Sequence, residues 1–169
     1  MIIWFIGISG AGKTTLGTLL RDKFVSSEKQ VLLIDGDSVR SFFKNDLGYS
    51  KKDRKENIKR IIFASHISQN NGCITIVCNM SPFEELRAFC RQKLNGYIEI
   101  YLDKKFLVAK KNDVKGVYND PELKNIVGHD IVFEKPVSSD LRIPVDDFTI
   151  DQSLEKIVSF LKNEKKFDL

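Results

Sequence analysis

The stretch that most constrains this chain is WFIGISGAGKTTLG, residues 4–17. The run IIWFI at 2–6 is apolar without interruption, as a strand covered on both faces must be. It runs directly into Gly7-Ile-Ser-Gly-Ala-Gly-Lys13-Thr14, which satisfies GxxxxGK[ST], and then into Leu16, Leu19, Leu20 and Phe24 at helical spacing. Strand, glycine loop and helix in that order make a phosphate cradle. The glycines let backbone N–H groups turn inward, and the helix N-terminus adds partial positive charge. Gly7, Ser9, Gly10, Ala11, Gly12, Lys13, Thr14 and Thr15 are therefore the candidate ATP-binding residues. Lys13 is expected to reach the β- and γ-phosphates, and the Thr14 hydroxyl to coordinate Mg²⁺. The loop alone leaves GTPase, ATPase and kinase open, but the chain has no NKxD guanine-reading motif, which argues against a GTPase.

The rest of the chain alternates strand and helix. VLLID (31–35) reads as a second buried strand, 38–46 as a short helix, and Ser50 as the cap of a helix to about residue 71. Ile58, Ile61, Ile62, Ser65 and Ile67 form that helix's inner side. CITIVC (73–78) and YIEIYL (97–102) are further strands, with a helix from Ser81-Pro82 to about Leu94 between them. Residues 104–136 carry many lysines and weak periodicity and read as a partly helical lid. DDFTI (146–150) is expected as a short last strand, and 151–163 as a helix packing through Leu154, Ile157, Val158 and Leu161. This pattern predicts an α/β fold, a P-loop three-layer α/β/α sandwich with a central parallel sheet, in a single domain spanning 1–169. Ligands in such folds sit at the carboxyl ends of the strands, where Asp35, Asp37, Asn79, Ser81 and Asp103 fall.

Composition matters in three places. A net charge of +4 suits an anionic small substrate without demanding one. Cys73, Cys78 and Cys90 form an odd set without a CxxC pair, so a reduced, cytoplasmic setting is expected, with Cys73 and Cys78 in the core. The apolar N-terminus lacks a basic leader region, and no run approaches a membrane span, so neither a membrane nor a nucleic acid is expected as partner.

The second chemical motif is Asp35-Gly36-Asp37-Ser38-Val39-Arg40, at the end of the strand after the phosphate loop. Phosphoryl transfer to a hydroxyl needs a metal and cations for charge, and a base for the proton. Asp35 can bind magnesium through water. Asp37 can take the hydroxyl's proton, and Arg40, one helical turn on, can hold an anionic acceptor or neutralise the transferred group. The candidate catalytic residues are thus Asp37, Lys13 and Arg40, and the candidate metal partners Thr14 and Asp35. Without the phosphate loop the same aspartates would read as an ordinary helix cap.

GISGAGKTT, IDGDSVR, DLGYSKKDRKENIKR and MSPF together resemble the adenylylsulfate (APS) kinase family, in the same order and at similar spacing, over about residues 2–103. That resemblance implies transfer of phosphate from ATP, with Mg²⁺, to the ribose 3′-hydroxyl of a nucleotide, in a family that is often dimeric. By matched position it implies that Arg40, Arg54 and Asn57 hold the acceptor. It implies further that Ser81 meets the acceptor's phosphate-side group and that Tyr49 is the aromatic platform under its base. Lys115, kept from the family's KGLY segment, joins the acceptor residues.

The departures cluster on the acceptor side. Ile126 stands where the family's lid carries the Phe that completes the base sandwich; an aliphatic cover gives up stacking worth roughly 1–3 kcal/mol. Glu84 and Glu85 replace two cations, and His129 lies next to Asp130 in the lid. A pyrimidine and an amine-bearing terminus would suit both changes. The expectation is therefore a relative serving a different acceptor, as cytidine diphosphoramidate kinases do in capsule phosphoramidate biosynthesis. The alternatives are an adenylylsulfate kinase and a non-catalytic nucleotide-binding module; a base at Asp37 is of no use to the latter.

Overall fold

The computed structural model describes residues 1–113, 116–120 and 122–163. Five parallel strands form one sheet in the order β2-β3-β1-β4-β5, with β1 at Ile2–Ile6, β2 at Val31–Asp35, β3 at Ile74–Cys78, β4 at Tyr97–Asp103 and β5 at Leu141–Pro144. The helices are α1 (Lys13–Ser26), α2 (Gly36–Phe42), α3 (Lys51–Asn70), α4 (Glu84–Lys93), α5 (Phe106–Lys111) and α6 (Ile150–Asn163). The predicted α/β/α architecture is borne out.

Strand β1 is central, and all five of its residues are 0% exposed. Its alternate side chains feed two separate cores. Ile3 and Phe5 pack with Leu16, Leu20 and Phe24 of α1 and with Leu154, Ile157 and Leu161 of α6. Ile2, Trp4 and Ile6 pack with Ile58, Ile61 and Ile62 of α3 and with Leu86 and Cys90 of α4. The continuous apolar run is thus the imprint of two helical layers on one strand.

Four sequence expectations need correction. VLLID is an edge strand with Leu32 exposed, because only β3 pairs with it. The last strand is Leu141–Pro144, pairing with β4, while Asp146–Thr149 turn into α6. DDFTI looks strand-like, but its aspartates serve the turn instead: Asp146 Oδ2 accepts the Lys105 N–H. On α3, Ile67 faces solvent, and Ser68 turns inward to accept the Thr75 hydroxyl. Cys78 is buried as expected, but Cys73, just before β3, is half-buried. Smaller shifts affect helix starts: α2 begins at Gly36, capped by the Asp35 side chain, and α4 begins at Glu84, past the proline. Ser50 caps α3, as its position predicts.

A buried carboxylate of the sheet pairs with a half-buried arginine of α4. Glu99 on β4 is inaccessible, accepts the Tyr97 hydroxyl at 2.9 Å and meets Arg91 at 3.0 Å. No described helix is long and apolar enough to cross a membrane.

Candidate active site

The β1–α1 loop has the backbone of a cradle. Gly7, Gly10 and Gly12 all take positive φ, and Gly12 precedes the first turn of α1 in the left-handed region. A Cβ at Gly7 would lie 2.6 Å from the Leu102 carbonyl oxygen, so glycine is required there by close approach as well as by φ. The Lys13 ammonium donates to the carbonyls of Gly7 and Ile8, both at 2.8 Å, which folds it back over the loop.

The end of β2 meets this loop. The Thr14 hydroxyl donates to Asp35 Oδ2 at 2.7 Å, while Asp35 Oδ1 caps α2 by accepting the Asp37 N–H at 2.9 Å. One carboxylate thus joins the first turn of α1 to the turn that carries Asp37. Gly36 sits between, with Asn79 packed where a Cβ would be and the buried Asn57 amide donating to its carbonyl at 3.2 Å.

Beyond Asp37 two arginines converge on Tyr49, which is half exposed. The Arg40 and Arg54 guanidinium carbons lie 4.7 and 5.2 Å from its ring centroid. Burial, then the neighbouring Arg40, pulls Arg54 below the ordinary arginine range, with Asp37 acting in the opposite sense. Arg54 also bridges two chain segments, donating to the carbonyls of Tyr49 at 3.0 Å and Asn125 at 2.8 Å.

Several expected acceptor contacts are differently engaged. Arg40 is buried and donates to the carbonyls of Leu47 and Gly48, because the turn before α3 leaves those oxygens without helical partners. Its role here is to hold the Tyr49 loop. Arg60, the next arginine along α3, pairs with Asp46. The Ser81 hydroxyl accepts the buried Trp4 indole N–H at 2.9 Å, since a buried indole needs a partner and Ser81 is the one within reach. Glu84 meets Arg87, and Glu85 meets Lys55, so both carboxylates are internally paired. Ile126, next to the Asn125 that Arg54 contacts, is buried, with its N–H donating to Asp130 Oδ2. His129 pairs with the other Asp130 oxygen. Lys115 lies outside the described residues.

Some functional-looking groups escaped the sequence reading. Asp113 accepts the N–H groups of Val117, Tyr118 and Asn119, all at 2.9 Å, and so folds the segment after α5. That fold carries the Tyr118 hydroxyl to the Ser9 carbonyl, 3.3 Å away, and burial pushes its phenol up to about 12. Ser9, Gly10, Lys104, Ala109, Asn112, Asp113 and Tyr118 line a cavity of about 130 Å³ beside the phosphate loop. An aspartate a few residues before a glycine was the available signal. Arg87, 1% exposed, gave none, since buried and surface arginines look alike in a sequence.

A parallel sheet with a phosphate loop at its switch point, an acidic turn on the adjoining strand and cations beyond it define a P-loop kinase, a phosphotransferase with an alcohol acceptor. The comparisons narrow the class. A family model described as Adenylylsulphate kinase matches residues 1–144, and the chain belongs to that family. It is 36% identical over 162 residues to an adenylyl-sulfate kinase of Picosynechococcus sp., covering 94% of this chain and 92% of that one. It is 34% identical over 168 residues to one of Clostridium acetobutylicum, covering 97% and 84%. The structure of Mycobacterium tuberculosis APS kinase in complex with AMPPNP and APS superposes with a TM-score of 0.88 at 28% identity, covering 96% of this chain and 97% of that one. These relatives carry the name of the alternative acceptor, and the expected cytidine acceptor finds no support among them.

Proposed function

We propose that this chain transfers the γ-phosphoryl group of ATP to the ribose 3′-hydroxyl of adenylylsulfate. The observation that supports the reading is the link from Thr14 through Asp35 to the Asp37 N–H, which joins the phosphate loop to the turn carrying Asp37 at one strand end. In this reading the loop amides and Lys13 hold the phosphates. The Thr14 hydroxyl and the Asp35 carboxylate share one edge of the cleft at hydrogen-bond distance, and an oxygen pair of this kind fits Mg²⁺, which takes few protein ligands and keeps its waters and phosphates. Bound there, the ion would neutralise charge on the transferred group. Asp37 accepts the hydroxyl proton, Arg54 faces the acceptor's anionic part, and Tyr49 supports its base. Arg40 and Asn57 act one step back, holding the Tyr49 loop and the Gly36 turn. In this reading the chain works as one kinase domain, with Lys104, Asn112 and Tyr118 of the lysine-rich segment beside the phosphate loop, and draws on cytoplasmic ATP.

A second reading, cytidine diphosphoramidate as acceptor, is favoured by one observation. Tyr49 is faced by two arginines, and the position expected to supply the second ring is the aliphatic Ile126. Purified enzyme with ATP and Mg²⁺, offered each acceptor in turn and followed by ADP release, separates the two. Faster turnover with adenylylsulfate is expected, and the reverse selects the cytidine acceptor. ATP binding without ADP release on either would leave a nucleotide-binding module. Asp37→Asn should abolish turnover while ATP still binds; unchanged turnover removes Asp37 from the base role.

A further inference from the structure

Helix α4 begins without a cap of its own: Phe83 stands at the N-cap and offers no side-chain acceptor. The acceptor comes from fifty residues on. Glu134 Oε2 receives the Glu84 N–H at 2.5 Å, and the Glu134 N–H donates to the Pro82 carbonyl at 3.0 Å. Arg87 completes the joint. Its guanidinium donates to the carbonyl of Glu134 at 2.6 Å, to that of Ser81 at 2.7 Å, and to the Glu84 carboxylate. Ser81 is a non-glycine residue at φ +46, a conformation that persists only where its surroundings hold it. Trp4 grips its hydroxyl and Arg87 its carbonyl.

The other end of the same segment is tied to α3, where Arg54 donates to the Asn125 carbonyl. Between the two ties, Val127 and Ile131 pair through a β-bridge and enter the core under α3 and α4, and Phe133 stacks on Tyr101. Residues 125–134 therefore span from the Tyr49 side of the cleft to the Ser81 turn, and Ile126 rides on them.

We propose that Glu134 and Arg87 are positioning residues for the acceptor. They weld the 125–134 segment to the Ser81–Glu84 turn, so that two walls of the acceptor side form one body. This rests on the acceptor-side reading above and adds to it. Glu84, together with the buried Glu99 carboxylate 3.9 Å from Arg87 Nε, offsets the charge of Arg87 and so serves this joint rather than reading the acceptor's terminal group.

The test uses the full chain with Glu134→Ala, which removes the cap, and Glu134→Gln, whose carboxamide oxygen can replace it. Steady-state constants are measured with ATP and adenylylsulfate, along with Tm and amide hydrogen exchange. Losing a charge-assisted hydrogen bond that orders the wall should raise the acceptor KM about tenfold in Glu134→Ala, with the ATP KM within about twofold. Glu134→Gln should recover most of that loss. Exchange should quicken together at 81–84 and 127–134. A lower Tm with both KM values unchanged overturns the inference, as does faster exchange in one segment alone. A wild-type enzyme that turns over no acceptor refutes the proposed function instead, and the joint is then decided by whether the two segments exchange together.

Discussion

Gly17 is where packing and nucleotide binding meet. It lies one turn into α1, where a Cβ would fall 2.3 Å from Cys78 Sγ and 3.4 Å from Ile76 and Leu33 side-chain carbons. Ordinary contact begins near 3.4 Å, so Gly17→Ala overlaps the sulfur by about 1 Å. The sulfur cannot retreat easily, because Cys78 is laddered to Phe5 on one side and to Asp35 on the other. An overlap this deep puts the overpacking cost in the upper part of its usual range, about 2–3 kcal/mol, and the gain in helix propensity returns about 1 kcal/mol. A net loss of about 1–2 kcal/mol in a chain of this length lowers Tm by roughly 2–8 °C. The Cys78 thiol also donates to the Lys13 carbonyl at 3.2 Å, so displacing it disturbs the first turn of α1 and should raise the ATP KM. The assay is a double-mutant cycle with Cys78→Ala, read by thermal melts and ATP KM. In the Cys78→Ala background Gly17→Ala should be neutral or stabilising, giving a coupling of about 1–3 kcal/mol. A harmless Gly17→Ala in the wild type, or an equal penalty in both backgrounds, would refute the reasoning.

Other outcomes follow from the same geometry. Tyr118→Phe removes the hydroxyl that reaches the Ser9 carbonyl and should raise the ATP KM by about 2–10-fold, leaving the acceptor KM unmoved. Burial, reinforced by Asp35 beside Cys78 and Glu99 beside Cys90, pushes both thiols up to about 12. At pH 8 a thiol reagent should therefore modify only Cys73 in the folded protein, and all three cysteines once it is unfolded. The Arg60 hydrogen bond holds the Asp46 carboxyl below its ordinary range. Its contribution to stability is thus present above the unfolded carboxylate's pKa and is lost as pH falls through the folded one. Asp46→Asn should flatten the acid limb of a Tm-versus-pH curve slightly while leaving the alkaline limb unchanged.

The parts whose chemistry is local could be read from the order of residues alone. A phosphate loop is a run of consecutive residues, so its glycines and Lys13-Thr14 announce strand, turn and helix together. Asp35 and Asp37 are two residues apart, and a strand end fixes where both go. The buried β1 run and the Ser50 cap are readable for the same reason: period and capping act within a few residues. Strand order, which depends on pairing between distant segments, was not readable, and so VLLID passed for an inner strand and DDFTI for a strand at all. The acceptor side belongs almost wholly to the tertiary structure. By spacing alone, Arg40 and Ser81 are as suited to face a ligand as Arg54 is. Which carbonyl or indole claims each one depends on chain segments up to 77 residues away. Glu84 looked like an inverted charge facing a substrate until the fold brought Arg87 beneath it and Glu134 beside it. A buried charge must be paired, and only the folded chain decides with what.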